Sequence, residues 1–254
     1  MTQNVPKDLV GFTEMAASSR RRRLIIGSQG LDKTGKTEFI FSAPGPIVGV
    51  NLDIGMEGVA EKWVKKKKIW VYNFNVPPIS SQKSFIDIFN RTRGAFESAI
   101  TNKDARTVFV DTATEWWELA RLAEFGQLAP AVDIKRAYGP LNQLFRGLIR
   151  MAYDTDKNLI LTHKLKEQWA TITENGKPKD SWDGSSYKRA GFGESGYLIQ
   201  VNIEHFHRDG QFGMKVINCR QNMNIAGMEF GQDGCSFTDL ATSVFDDTTA
   251  KDWE

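Results

Sequence analysis

The stretch LIIGSQGLDKTGKT, residues 24–37, decides how the chain is read. It opens on an apolar run (Leu24, Ile25, Ile26), passes through a glycine-rich turn and ends in Gly35-Lys36-Thr37. Gly30, Leu31, Asp32, Lys33, Thr34, Gly35, Lys36 and Thr37 satisfy G-x-x-x-x-G-K-[ST] at every fixed position, the phosphate-cradling P-loop pattern. Gly30 and Gly35 let the backbone curl so that successive N–H groups point at phosphate oxygens. A helix expected to begin near Gly35 adds its positive N-terminal end. Lys36 would then reach the β- and γ-phosphates of a nucleoside triphosphate, and the Thr37 hydroxyl would ligate Mg²⁺. The context agrees: an apolar strand precedes the loop, and Glu38-Phe39-Ile40-Phe41 continues it with helix-compatible residues.

Working outward, 254 residues fit one large α/β domain or a core with one appendage, ample for a core without disulfides or metal. A net charge of +2 says nothing about partners, so only local clusters can. Cys219 and Cys235 show neither metal spacing nor a disulfide framework and are expected as reduced thiols. No run of 18 apolar residues occurs, so a cytoplasmic protein with no membrane partner is expected.

Along the chain, residues 1–19 read as a polar lead-in. The Arg20-Arg21-Arg22-Arg23 run suits either nucleic acid phosphates or a solvated strand entry. Beyond Ala43-Pro44-Gly45-Pro46, residues 47–52 read as a buried strand ending at Asp53. Asp53 and Glu57 lie just past that strand, at the sheet edge where ligands sit in α/β folds. Glu57 suits the water-activating base, or equally the first turn of a helix over residues 59–68. Lys65-Lys66-Lys67-Lys68 would close that helix and complement its dipole. A strand at 69–72, the Val76-Pro77-Pro78 break and a helix at 82–101 follow.

Thr107-Val108-Phe109-Val110-Asp111 is the second anchor: a buried strand ending in a carboxylate suited to hold Mg²⁺ through its water shell. Glu115 is a second candidate base. Trp116-Trp117 opens a helix and reads as packing, and residues 139–153 form another helix. Residues 158–163 read as a strand tipped by His163, placed either to sense the γ-phosphate or to bond a neighbouring carbonyl. Residues 164–194 then read as a long basic-aromatic loop. There Trp169, Trp182, Tyr187 and Phe192 interleave with Lys164, Lys166, Lys177, Lys179, Lys188 and Arg189, a composition suited to stacking and phosphate neutralisation on single-stranded nucleic acid. Glu174-Asn175-Gly176-Lys177 and Arg208-Asp209-Gly210 signal hairpin turns. Arg208, Lys215 and Arg220 are either arginine fingers toward a neighbouring subunit or surface charge. Asp239, Asp246, Asp247, Asp252 and Glu254 give the C-terminal segment the composition of an acidic, mobile tail.

The P-loop, the carboxylates after the second strand, the Asp111 strand and the polar-tipped strand at His163, in this order, resemble a RecA-like P-loop ATPase. More narrowly the chain is similar to small phage-encoded RecA/RadA-type ATPases, some of them single-strand annealing recombinases. The resemblance covers residues 20–220, leaving 221–254 as a C-terminal segment. It implies an α/β fold with a mostly parallel twisted sheet flanked by helices and carrying a β-hairpin extension. It further implies ATP and Mg²⁺ as ligands, with Lys36 and Thr37 on phosphate and metal, Asp111 supporting the metal, Glu57 activating water and His163 at the strand tip. Single-stranded DNA, a homo-oligomeric ring or filament, and a single-strand-binding or replication protein are the implied partners, in the cytoplasm of a bacterial host. A helicase loader or motor and a nucleotide-gated DNA-binding scaffold are the alternatives. No Asn-Lys-x-Asp guanine reader occurs.

Overall fold

Where apolar residues run unbroken, the chain forms strands buried on both faces, the mark of a parallel sheet covered by helices. Ile25–Gly30 (β1), Ile47–Asn51 (β2), Thr107–Asp111 (β4) and the first six residues of Asn158–Glu167 (β5) behave in this way. Ile69–Asn73 (β3) is half exposed because it closes one edge. The computed structural model describes residues 21–74, 81–126, 137–174, 177–231 and 234–253. The expected lead-in at 1–19, Arg20, the break at 76–78, the Asn175-Gly176 turn centre and Glu254 lie outside them.

Val201–Arg208 (β9), Gln211–Cys219 (β10) and Glu229–Gly231 (β11) complete a sheet of order β11-β10-β9-β1-β5-β4-β2-β3. The strands from β9 to β3 run parallel, whereas β10 and β11 are antiparallel additions. Between β9 and β10, Asp209 (φ 52) and Gly210 (φ 78) form the expected two-residue hairpin, whose left-handed residues suit the strand twist. One face is covered by Gln82–Thr101 (α2), Ala113–Phe125 (α3) and Tyr138–Asp154 (α4). Lys36–Ser42 (α1) and Phe237–Val244 (α6) cover the other. The chain is thus an α/β protein with a large, mostly parallel sheet flanked by helices.

Beyond the sheet edge, β5 runs on to pair with Tyr187–Arg189 (β8), and Ala170–Glu174 (β6) pairs with Lys177–Ser181 (β7) as a separate two-stranded ribbon. The stretch read as a loop at 164–194 is therefore a β-arm, with Ser195–Leu198 (α5) behind it.

Two expectations are corrected. Residues 59–68 form turns around one 3-10 segment, Ala60–Lys62, in place of a helix. The carbonyls of Ala60 and Trp63 are each shared between the third and fourth residues on. Lys67 turns away to donate to the Ala43 carbonyl (2.6 Å), so it complements the C-terminal end of α1 instead of a helix of its own. The second correction concerns the acidic tail, which is folded. Asp239 closes a capping box with Ser236, Asp247 pairs with Arg22, and Asp252 accepts from the Thr249 amide. Trp253 is buried against Phe237 and Phe245. In the arginine run, Arg22 makes that ion pair and Arg23 donates to the carbonyls of Ala152 and Tyr153 at the end of α4.

Candidate active site

The turn after β1 is shaped by two glycines. A side chain at Gly30 would meet Thr34 Oγ1 at 2.6 Å and the His205 carbonyl at 2.8 Å, and Gly35 sits at φ +95. Lys33 is also left-handed (φ 59), so the loop alternates handedness as anion-binding backbone nests do. Gly35 caps α1 without a side-chain bond, which leaves the first amides of the helix to an anion. Asp32 and Lys33 are exposed, whereas Thr34 is buried with its hydroxyl on the Leu31 carbonyl (2.8 Å). These features fit a triphosphate.

Lys36 Nζ folds back onto the carbonyls of Gly30 (2.9 Å) and Leu31 (2.6 Å). Burial lowers its pKa, and Asp111, Asp32 and Asp53 act against that shift. Thr37 Oγ1 donates to Asp111 Oδ2 at 3.0 Å, joining the P-loop helix to the end of β4. Burial raises the Asp111 pKa, while hydrogen bonds from Thr162 and Thr37 oppose the rise. This hydroxyl–carboxylate pair suits a hard divalent cation held mostly by phosphate and water. Among the described residues no cluster of three or more His, Cys, Asp or Glu side chains has metal-binding geometry.

Several residues fall elsewhere than their sequence positions suggested. His163 points into the α2–α4 layer, beside Phe96, Trp116 and Phe145 and away from the P-loop. Among the described residues neither ring nitrogen has a partner in hydrogen-bond geometry; burial, with the Arg189 charge, holds its pKa well below the usual histidine value, and the nearby Ala190 backbone opposes this. The alternation of side chains along β5 gives the P-loop face to Thr162, whose hydroxyl donates to Asp111 Oδ1 (2.5 Å). Glu57 is exposed in the turns beyond β2. Asp53, four residues earlier, is close enough to Lys36, Asp111 and Lys164 to influence the protonation of all three. Lys164, read as a nucleic acid contact, instead pairs with Glu115 at 2.8 Å on this same edge. Phe212, on the β9–β10 hairpin, comes within 3.7 Å of where a side chain on Gly35 would lie; nothing in its sequence neighbourhood marked it.

On the arm, Trp169 is 55% exposed and packs against Trp182 (6.4 Å between ring centres), which meets Tyr187 at 5.6 Å. Lys166, Lys179 and Lys188 are exposed around them, and Lys177 lies in β7. Phe192 leaves this surface for the core, stacked on Trp117 at 5.1 Å. Arg189 turns inward to Gln29 Oε1 (2.9 Å) and Asn202 Oδ1 (2.5 Å). Arg208 and Lys215 both pair with Glu229, and Arg220 donates to the Tyr197 carbonyl, so each of the three arginine-finger candidates has a partner within the chain.

No curated protein matches the chain. The model of the AAA domain family matches residues 20–190, more than half of the chain, taking in the P-loop, Asp111 and the arm. With the phosphate loop, the Thr37–Asp111 pair and the covered parallel sheet in place, the chain belongs to the AAA domain family of nucleotide-hydrolysing P-loop ATPases.

Proposed function

We propose that this ATPase hydrolyses ATP with Mg²⁺ and acts on single-stranded DNA, in recombination or replication of the kind carried out by the RecA/RadA-type proteins it resembles. The observation that carries the DNA assignment is the arm. It presents the exposed rings of Trp169 and Tyr187, bridged by the half-buried Trp182, among exposed lysines, and exposed rings beside cations are what successive bases and phosphates need.

In the reaction, water attacks the γ-phosphorus, the bond to the β-bridging oxygen breaks, and ADP leaves with phosphate as the second product. Asp53 orients the attacking water and accepts its proton, taking the role that Glu57 is too exposed to fill. Lys36 moves from its own loop carbonyls to the β- and γ-phosphate oxygens. A divalent cation on Thr37, supported by Asp111, would neutralise charge building on those oxygens. Thr162 holds the Asp111 carboxylate in orientation. Steady-state hydrolysis with and without single-stranded DNA is the test. Wild type should be stimulated by DNA, and Lys36→Ala should lose turnover with or without it. Turnover indifferent to DNA, together with no DNA binding at low salt, would sink the DNA reading.

A further inference from the structure

On the α4 side of β1 an open cleft of about 540 Å³ lies beside the arm, the size of a small-ligand site. Arg189 forms part of its floor and Arg220 part of its rim, and among the described residues no acidic side chain lines it. The Arg189 guanidinium lies over bare backbone: its Nη1 comes within 3.2 Å of where a side chain at Gly27 would begin. Its partners there are Gln29, Ser195 and Asn202, all neutral. Glu204, the acid that attracts it, is engaged by Gln29 Nε2 at 2.7 Å. A mostly buried cation held by amides and a hydroxyl, facing a cleft with no carboxylate among the described residues that line it, is arranged for an anion from outside. Tyr197, at 82% exposure, stands at the same cleft with no ring partner among the described residues.

We propose that this cleft is a nucleotide-unit subsite of the single-strand path, with a backbone phosphate on Arg220 and Arg189 and a base stacked on Tyr197. The inference rests on the single-stranded DNA reading and extends it from the arm to the body of the molecule. Tyr187 and Arg189 lie two apart on β8, hence on one face and about 7 Å apart, so the aromatic surface of the arm continues into the cleft. Its floor also touches the P-loop strand, since Gln29 directly precedes Gly30.

The test is fluorescence anisotropy with a labelled thymidine homopolymer on wild type, Trp182→Ala, Tyr197→Ala and Arg220→Ala. Tyr197→Ala should weaken binding about 5- to 100-fold, as loss of one stacked base does. Arg220→Ala should lower the slope of log affinity against log salt by about 0.7, one phosphate contact on a single strand, which a merely structural role would leave unmoved. ATP affinity should stay at the wild-type value in both. If Trp182→Ala weakens binding while Tyr197→Ala and Arg220→Ala do not, the cleft is overturned and the arm stands. If wild type binds no single strand, both fall together. Free thymidine monophosphate saturating the cleft of Lys36→Ala while the homopolymer fails to compete would identify a free nucleotide site and overturn the strand path.

Discussion

A carboxylate activates water at a γ-phosphate only from within hydrogen-bond reach, directly or through one further water. Asp53 shares its surroundings with Lys36 and Asp111, and Glu57 stands in solvent four residues on. Asp53→Asn should therefore lower kcat by about 10²- to 10⁴-fold with ATP affinity retained. Glu57→Gln should leave kcat near wild type; the reverse pattern in steady-state kinetics would return the role to Glu57. Two buried histidines make a second residue-scale case. His163 lies under the positive charge of Arg189 and His205 under that of Lys36, and burial pushes His205 down to about 3. Each stays neutral in the fold and is protonated in the unfolded chain below about pH 6.5. The unfolded state then binds the extra protons, so stability rises with pH and is lost as pH falls through that value. The loss is about 1.4 kcal/mol per pH unit for each ring. His163→Phe, which suits the apolar layer around it, should remove one ring's share, about 2 kcal/mol, from the difference between urea melts at about pH 7 and about pH 5. An unchanged difference would show that His163 is already charged in the fold.

At the scale of elements, α6 shows how much of the P-loop's support comes from the far end of the chain. Phe237 packs on Phe39 of α1 (6.3 Å) and on Trp253 (5.9 Å), and the Phe237 amide donates to Ser42 Oγ. Trp253→Ala should cost about 3–5 kcal/mol in urea unfolding, as removal of a large buried aromatic does. A truly mobile tail would show no change. The sequence hid this because Asp239, Asp247 and Asp252 look solvated on paper, while in the fold each satisfies a helix start or an arginine. By contrast β1, β4 and β5 were legible, because burial on both faces writes itself as unbroken apolar runs and the P-loop glycines have few other uses. What failed at the end of β5 was side-chain parity. Strand ends have no motif to fix their phase, so His163 was read onto the face that Thr162 occupies. For Asp53 and Glu57, spacing alone could not tell which side of a turn faces the phosphates.

Taken whole, the molecule joins a closed ATPase body to an arm that owes the body little. The β6–β7 ribbon forms a sheet of its own, and its base is closed by the Gln168 amide on the Ser186 carbonyl at 2.9 Å. Below that closure the anchoring is dense. Thr114 accepts from the Lys164 amide and donates to the Ala190 carbonyl, Arg146 holds Glu194 through two 2.7 Å bonds, and Phe192 is in the core. Cutting between residues 168 and 186 and joining the ends with a two-residue Asn-Gly turn should therefore leave the main sheet and the nucleotide site intact. The shortened protein should melt within a few degrees of wild type and retain its basal ATP hydrolysis. It should lose stimulation by single-stranded DNA, because Trp169 and Trp182 leave with the ribbon and Tyr187 alone cannot supply their stacking surface. Calorimetry and hydrolysis assays with and without DNA check both halves. Stimulation surviving the excision would move the DNA site off the arm, and loss of basal turnover would mean that the ribbon helps to build the nucleotide site.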